Sequence, residues 1–328
     1  MSDVSCDIII PVYNRLMLTS GCLESILLNT DTPYRFILID NGSDDDTRGY
    51  LKNFAGSREN VTLVRNVVNA GWVKAVNAGM ALSKSPYICI MNNDTVVRTG
   101  SWLAKLIKIL QDGRTIGMIS PLFDIKGRGM YKGSFVETDY CRGHCIVMKR
   151  ELMEKIGPLD EAFGMGYYDD VDYSLSAVKA GYIPAMANDV LVEHVRNSTF
   201  SSVLDDRKIA ELQEKNRKYL ESKWGRRLRL VFIADCHIDL PKAEGLLFDI
   251  ARRRHYIYIW NTGKPLGFPH TNMIEKRYPA VFSAVLFPVM LALNKLKKRG
   301  KRYDGVFYLK RGFNAGDIIS GIEKLSKV

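Results

Sequence analysis

The first two hundred residues predict an α/β fold with a mostly parallel central sheet. Short β-branched apolar runs alternate there with segments of helical periodicity, and polar residues follow most of the apolar runs. Of the 328 residues, 46% are hydrophobic, which is enough to build a core. We expect a first domain at residues 1–204, a connecting helix at 205–223 and a basic αβ appendage at 224–328.

Strands and helices of the first domain are predicted in alternation. The expected strands are residues 6–10, 36–39, 61–64, 87–91 and 116–120, and the expected helices are 16–28, 45–54, 72–82 and 101–111. Residues of the helix-capping type occur nearby, namely Thr19, Asp44 and Ser101. Pro11-Val-Tyr-Asn14 follows the first strand in place of G-x-G-x-x-G, which argues against a dinucleotide-binding Rossmann domain.

Polar residues occur directly after four of the expected strands. They are Asn14, Asp40, the pair Asn66 and Asn69, and the run Asn92-Asn93-Asp94. Because the carboxyl ends of parallel strands meet at one edge of a sheet, we expect these side chains to line a common ligand-binding crevice.

Two clusters carry the types of residue that catalysis needs. Asn92-Asn93-Asp94 offers oxygen ligands for a hard cation, although an Asx turn that caps the next helix is the alternative. Asp169-Asp170-Val-Asp172 brings three carboxylates together, so that at least one has a raised pKa suited to general-base work. These acids also suit the N-terminus of a helix at 171–180, and the two interpretations are compatible.

The motifs, taken together, resemble glycosyltransferase family 2 over about residues 5–200. The motifs that carry the resemblance are Pro11-Val-Tyr-Asn14, Asp40-Asn-Gly-Ser-Asp44, Asn69-Ala-Gly-Trp, Asn77-Ala-Gly79, Asn92-Asn-Asp94, Gly157-Pro-Leu-Asp-Glu161 and Asp169-Asp-Val-Asp172 followed by His194. The resemblance implies a GT-A fold and an inverting, metal-dependent transfer of a hexosyl or deoxyhexosyl group from a nucleotide-sugar to a hydroxyl.

The resemblance also implies roles for individual residues. Pro11, Tyr13, Asn14 and Asp40 would hold the base and ribose, and Asn69 would assist. Asn92, Asn93 and Asp94 match the D-x-D element, with Asp94 as the principal metal ligand and His194 completing the metal or diphosphate site. Asp170 matches the catalytic base, and Asp169 lies beside it.

This chain departs from the family pattern at two positions. Asn92 replaces the first D-x-D acid, and Val76 replaces an arginine, for which Lys74 could compensate. The asparagine-rich version resembles the branch of rhamnosyltransferase-like enzymes, which favours a UDP or dTDP donor. We expect Mn²⁺ or Mg²⁺ as the cofactor, since an imidazole and a carboxylate suit such ions.

The expected acceptor is a glycan or a lipid-linked glycan in surface polysaccharide synthesis. Two alternatives stay open. A sugar nucleotidyltransferase should carry a glycine-rich phosphate loop after the first strand, and Pro11-Val-Tyr-Asn14-Arg15 is not one. A non-catalytic membrane-bound scaffold with a degenerate transferase domain is the second, although Asp94, Asp170 and His194 supply every group that the mechanism requires.

The C-terminal 105 residues hold 20 of the 47 basic residues and 8 of the 36 acidic ones, a net charge of +12. Strands are expected at 229–234, 255–260 and 305–309, with a helix at 242–254. The apolar run 279–293, too short to span a bilayer comfortably, precedes a basic cluster that extends to residue 302. An interfacial helix on an anionic membrane surface is therefore predicted, with a core helix as the alternative, and no nucleic-acid-binding motif occurs.

The scattered cysteines indicate a reduced, cytosolic protein, and no leader peptide is expected. With the apolar run and the basic cluster, we expect a peripheral location on the inner face of the cell membrane. The cysteines are scattered, at Cys6, Cys22, Cys89, Cys141, Cys145 and Cys236. Cys141-Arg-Gly-His-Cys145 lacks a second paired half, so we expect buried thiols there and no zinc site.

Overall fold

The computed structural model describes residues 6–127, 129–195, 205–235 and 237–327. Cys236, one of the scattered cysteines, lies outside these ranges. Contacts within the chain define two compact units. The N-terminal unit comprises Met1–Val136 and Tyr140–Lys218, and the C-terminal unit comprises Glu137–Asp139 and Tyr219–Val328.

The N-terminal unit is built on a sheet in the order β3-β2-β1-β4-β8-β6-β9-β5, with β7 paired to β9. The strands are β1 (Cys6–Val12), β2 (Tyr34–Asn41), β3 (Val61–Asn66), β4 (Tyr87–Met91), β5 (Thr95–Val97), β6 (Ile116–Leu122), β7 (Phe135–Glu137), β8 (Cys145–Lys149) and β9 (Ile183–His194). Strands β3, β2, β1 and β4 are parallel, β8 is antiparallel to both its neighbours, and β5 is antiparallel to β9. The predicted α/β fold with a mostly parallel sheet is confirmed for this unit.

Helices connect these strands. They are α1 (Leu16–Asn29), α2 (Asp45–Gly56), α3 (Trp72–Leu82), α4 (Trp102–Asp112), α5 (Arg150–Ile156), α6 (Asp169–Lys179) and α7 (Asp206–Trp224). Asp44 caps α2 as expected, because its carboxylate accepts a hydrogen bond from the Thr47 amide at 2.9 Å. Thr19 and Ser101 do not cap: Thr19 lies inside α1, and Ser101 makes no side-chain cap at α4.

Close packing of α3 on β1 explains the glycine in Asn77-Ala-Gly79. A Cβ atom at Gly79 would lie 2.3 Å from the Cγ2 atom of Ile9, closer than any real contact, so only glycine lets the helix approach the sheet. Val76 on the same helix is completely buried in the core. The position where the family carries an arginine is therefore a packing position in this chain.

The C-terminal unit contains a second sheet of four parallel strands in the order β12-β11-β10-β13. Its elements are β10 (Arg229–Ala234), α8 (Leu240–Arg252), β11 (Tyr256–Asn261), β12 (Met273–Arg277), α9 (Ala280–Asn294), β13 (Gly305–Leu309) and α10 (Ala315–Ser326). Strand β12 and helix α10 are absent from the prediction. Strand β12 is an edge strand of mostly polar, largely exposed residues, so it has no apolar run to reveal it.

Helix α9 corresponds to the predicted apolar run and presents two different faces. Phe287 is buried, with its ring 5.3 Å from that of Trp260. Four other positions on the helix are exposed, with 86% of Val281, 71% of Val285, 49% of Val289 and 53% of Leu293 accessible to solvent. None of the described helices is both long and apolar enough to cross a bilayer.

Candidate active site

The N-terminal unit holds a cavity of about 450 Å³ at the carboxyl ends of its parallel strands. Twelve of its residues belong to the predicted motifs: Pro11, Val12, Tyr13, Asn41, Asn69, Trp72, Asn92, Asn93, Asp94, Asp169, Asp170 and His194. The remaining wall is formed by Phe123, Tyr140, Arg142, Gly143, His144, Met165, Gly166, Tyr167 and Tyr168. The polar residues after separate strands therefore meet in one crevice, as the topology predicts.

Asp94 and His194 are neighbours at one side of the cavity. The antiparallel pairing of β5 with β9 sets Thr95 opposite His194, and the Nε2 atom of His194 lies 3.2 Å from the Oδ1 atom of Asp94. Asn92 is the third member of this cluster, with its Nδ2 atom 3.2 Å from the same imidazole nitrogen. A carboxylate and an amide thus both lie within 3.2 Å of one imidazole nitrogen at the cavity.

The donor set of this cluster fits a divalent cation that also binds a ligand. Within the described ranges, no group of three or more histidine, cysteine or acidic side chains converges on one point. Asp94 and His194 supply one oxygen and one nitrogen, types of ligand that Mn²⁺ accepts and that leave most coordination positions to other donors. The phosphate oxygens of a nucleotide are the natural complement to such an incomplete set.

Asp169 and Asp170 open helix α6 at another part of the cavity wall. The indole Nε1 of Trp72 donates a hydrogen bond to Asp169 at 3.1 Å. Burial, and next the charge of Asp170, raise the pKa of Asp169 to about 7. Burial also raises the pKa of Asp170, but the backbone amides of Gly143 and Val171 donate to its two oxygens at 3.0 and 2.9 Å and oppose this rise.

An asparagine network supports the wall near the ends of β2 and β3. The Asn41 side chain donates to Asn69 at 2.9 Å and accepts from Asn66 at 2.9 Å. Gly42, at φ +82°, leaves no room for a Cβ atom, because one would lie 2.7 Å from the carbonyl carbon of Val68. The Asp40-Asn-Gly motif therefore holds the loop that presents Asn69.

The similarity of this chain to known proteins agrees with a cavity that binds a nucleotide-sugar. Residues 7–157 match the sequence model of Glycosyl transferase family 2. The N-terminal unit therefore contains a glycosyltransferase domain, as the sequence predicts.

Three relatives illustrate the similarity. Poly(ribitol-phosphate) beta-glucosyltransferase of Bacillus spizizenii is 31% identical over 136 residues, which cover 40% of this chain and 21% of that protein. Among solved structures, a mannosyltransferase from Pyrobaculum calidifontis in complex with GDP-Man and Mn²⁺ superposes with a TM-score of 0.52 at 22% identity over 62% of this chain and 60% of that one. The S. aureus TarS fragment 1-349 in complex with UDP-GlcNAc gives a TM-score of 0.52 at 14% identity over 67% and 66% of the two chains.

These matches establish the fold of the glycosyltransferase domain and have a limited extent. The chain spans less than two thirds of the length of each of these three proteins. At such identities, the two structural neighbours bear on the fold alone.

Three of the residues expected at the nucleotide do not line the cavity of the glycosyltransferase domain. Asp40 is buried, forms an ion pair with Arg65 and accepts from the Ser43 amide at 2.9 Å. The Asn14 side chain accepts a hydrogen bond from the backbone amide of Asp44 at 2.7 Å. Lys74 is exposed on α3 and is not among the lining residues.

The other predicted residues of the domain do lie at the cavity. They are Pro11, Tyr13, Asn69, Asn92, Asn93, Asp94, Asp169, Asp170 and His194. Asn93 is the most constrained of the asparagines after β4, since it is buried and donates to the Thr19 hydroxyl at 2.9 Å. The roles that we assign to these residues stay predictions.

The wall formed by Tyr140, Arg142 and His144 was not predicted from the sequence. The His144 ring is buried and stacks on that of His194, with centroids 5.6 Å apart and planes inclined by 22°. Arg142 and His144 belong to the segment Cys141–Cys145, for which we expected only buried thiols, and Tyr140 precedes this segment. Cys141 is buried, its thiol donates to the Ala185 carbonyl, and burial raises its pKa to about 12. A basic and aromatic cluster that precedes a buried strand is the signal that could have revealed this wall.

Two adjacent tyrosines complete the wall in front of α6. Tyr167 and Tyr168 have positive φ angles of 67° and 70°, a conformation that is costly for side chains of this size. This backbone turn directs the chain so that Asp169 and Asp170 both reach the cavity.

Proposed function

We propose that the glycosyltransferase domain transfers a sugar from a nucleoside diphosphate sugar to a hydroxyl group, with inversion at the anomeric carbon. The observation that carries this proposal is that one cavity holds both the Asp94–His194 pair and the Asp169–Asp170 pair. The first pair suits the leaving diphosphate and the second suits the attacking hydroxyl. A displacement reaction requires that the attacking hydroxyl and the leaving diphosphate are positioned at the same time.

Asp94 and His194 would hold a divalent cation, Mn²⁺ or Mg²⁺, together with the diphosphate. When bound, the cation neutralises the negative charge that develops on the departing diphosphate. The mixed oxygen and nitrogen donors favour Mn²⁺ modestly over Mg²⁺.

Asp170 is the general base in this proposal. The acceptor hydroxyl gives its proton to the Asp170 carboxylate while its oxygen forms a bond to the anomeric carbon. The bond from that carbon to the diphosphate oxygen breaks, and its electron pair leaves with the diphosphate. A single displacement of this kind inverts the configuration.

The asymmetry of the acidic pair supports Asp170 over Asp169 as the base. Two backbone amides donate to Asp170 and favour its charged form. Asp169 receives one indole hydrogen bond, and its burial favours the protonated form. The two amide hydrogen bonds thus favour the carboxylate form of Asp170, which can accept a proton.

We propose a UDP or dTDP sugar as the donor, a hexose or deoxyhexose as in rhamnosyltransferase-like enzymes, and a surface-polysaccharide glycan or lipid-linked glycan as the acceptor. The names of the similar proteins include a poly(ribitol-phosphate) glucosyltransferase and complexes with GDP-Man and UDP-GlcNAc. These names cover more than one base and sugar, so the donor has to be tested with a panel.

The test is to incubate the full chain with Mn²⁺ and a panel of nucleotide-sugars and to measure release of nucleoside diphosphate. The anomeric configuration of the product is then read by NMR. We expect release with one uridine or thymidine donor and an inverted product. Retention of configuration, or no release from any donor, would overturn the proposal.

The second part of the proposal concerns a membrane surface. Val281, Val285, Val289, Leu293 and Leu296, here called the apolar stripe, are all exposed. The first four follow one another at intervals of four residues along α9, which places them on one helix face. The opposite face is covered by packing, as Phe287 shows. An apolar stripe that no described residue of the chain covers is suited to an interaction surface.

The charge next to the stripe supports a membrane as the partner. Five exposed basic residues, here called the basic cluster, follow the helix: Lys295, Lys297, Lys298, Lys301 and Arg302. An amphipathic helix inserts its apolar face between lipid head groups, and each adjacent cation adds about 1 kcal/mol on an anionic leaflet. We therefore propose peripheral binding to the inner, cytoplasmic face of the cell membrane.

A further inference from the structure

We infer that Arg142 binds a phosphate group of the acceptor and so selects acceptors in which a phosphate lies close to the attacking hydroxyl. This inference rests on the proposed function and specifies the substrate class of the same site. It starts from a cation in the cavity wall for which the proposed transfer so far has no use.

Arg142 is held in the wall by aromatic rings. Its guanidinium carbon lies 4.2 Å from the ring centroid of Phe123 and 5.9 Å from that of Tyr140, and all three residues line the cavity. Stacking of this kind fixes the plane of the guanidinium and leaves its N–H groups at the edge free to bind a ligand. The side chain is nevertheless exposed.

The positive charge of Arg142 has no acidic partner at ion-pair distance among the residues that the structure describes. Burial raises the pKa of Asp170, and the charge of Arg142 is one of the smaller influences that oppose this rise. A fixed cation that lines a substrate cavity without a carboxylate of its own is suited to an anionic ligand.

The position of Arg142 indicates which end of the reaction this anion serves. The next residue, Gly143, donates its amide to Asp170 at 3.0 Å, so Arg142 lies one residue away from the contact that supports the proposed base. An acceptor hydroxyl that reaches Asp170 brings its substituents to this part of the wall. A guanidinium binds phosphate oxygens in a bidentate manner and stays charged at every physiological pH.

The donor diphosphate is the other possible source of phosphate oxygens. His144, two residues further on, stacks on His194, so the same segment also approaches the proposed diphosphate site. The two sources share one chemistry, and kinetics can separate them. The KM of the donor in hydrolysis without an acceptor reports the contacts to the donor and none to an acceptor.

The experiment compares Arg142→Gln and Arg142→Lys with the wild type, and uses Arg114→Gln, an exposed arginine outside the cavity, as the control. Binding of glycerol 3-phosphate and of glycerol to the nucleotide-loaded full chain is measured by calorimetry. Transfer to each and hydrolysis of the donor are measured as nucleoside diphosphate release.

We expect wild type to bind glycerol 3-phosphate more tightly than glycerol. Arg142→Gln should reduce that preference by roughly 10- to 100-fold, Arg142→Lys should retain part of it, and donor hydrolysis should keep its KM. Absence of any preference for the phosphate ester in wild type would overturn the inference. An equal loss of transfer to glycerol 3-phosphate and to glycerol would also overturn the inference and would show that Arg142 acts through Asp170. A raised donor KM in hydrolysis would overturn it as well and would show that Arg142 contacts the donor diphosphate. Failure of hydrolysis and transfer with intact phosphate-ester binding would count against the proposed function and not against this inference.

Discussion

The Nε2 atom of His194 lies 3.2 Å from the Oδ1 atom of Asp94, because the register of β5 on β9 sets Thr95 opposite the histidine. The pair is thus fixed by backbone pairing rather than by a flexible loop. Sites built on paired strands hold their ligands with little loss of side-chain entropy on binding.

This pair leads to a prediction for metal binding. Asp94→Asn and His194→Gln should each weaken Mn²⁺ binding to the nucleotide-loaded protein by at least about tenfold, since each removes a ligand or its orienting partner. Titration followed by Mn²⁺ electron paramagnetic resonance measures the change. Asp112→Asn, on the exposed face of α4, is the control. Full transfer activity in excess chelator would rule out the metal site.

The acidic pair leads to a prediction for turnover. Asp170→Asn should lower kcat by roughly 10²-fold or more without changing donor affinity, because a general base typically contributes 10²- to 10⁴-fold. Asp169→Asn should lower kcat less, since its side chain accepts the Trp72 hydrogen bond and does not take the proton. Single-turnover kinetics and donor binding by calorimetry separate the two effects. The reverse ranking of the two variants would show that the base is Asp169.

The buried Asp169 should also make stability depend on pH. Its pKa rises from 3.8 to about 7 on folding, mainly through burial, so between these values the folded state binds more protons than the unfolded state. The free energy of unfolding should therefore fall as the pH rises through this window. Urea denaturation from pH 5 to pH 8 should show a steeper fall for wild type than for Asp169→Asn. Identical slopes in the two proteins would contradict the raised pKa.

Membrane binding through the apolar stripe can be separated into two contributions. Val285→Asp with Val289→Asp should abolish sedimentation with vesicles that contain anionic lipid, and the same two changes at exposed Val67 and Val68 are the control. Replacing the four lysines of the basic cluster by glutamine should remove the salt-sensitive part of binding. Equal binding to neutral and anionic vesicles would contradict the contribution of the basic cluster. No binding to anionic vesicles at low salt would contradict the contributions of both the apolar stripe and the basic cluster.

Much of the N-terminal unit could be predicted because its strands are buried apolar runs that end in polar residues. The expected strand at 87–91 is observed as Tyr87–Met91, and the expected helix at 72–82 is Trp72–Leu82. Both have their bounds marked by turn residues. The register between strands is not encoded in such local patterns.

The contacts of Asp40 depend on the register between two strands. The pairing of β2 with β3 places Asp40 beside Arg65, and the two form an ion pair that local sequence patterns do not reveal. Arg142 and His144 were missed for a related reason. They reach the cavity because β8 inserts antiparallel between β4 and β6, an arrangement that the predicted alternation of strands and helices does not contain.

The left-handed turn at Tyr167 and Tyr168 sets stability and catalysis against each other. A non-glycine residue in this conformation costs of order 1 kcal/mol or more, and here two occur in succession. A glycine at either position would relax the backbone, but it would also remove an aromatic side chain from the substrate cavity. Selection of variants for thermal stability alone should therefore enrich glycine at these two positions, whereas selection for transfer activity should retain tyrosine.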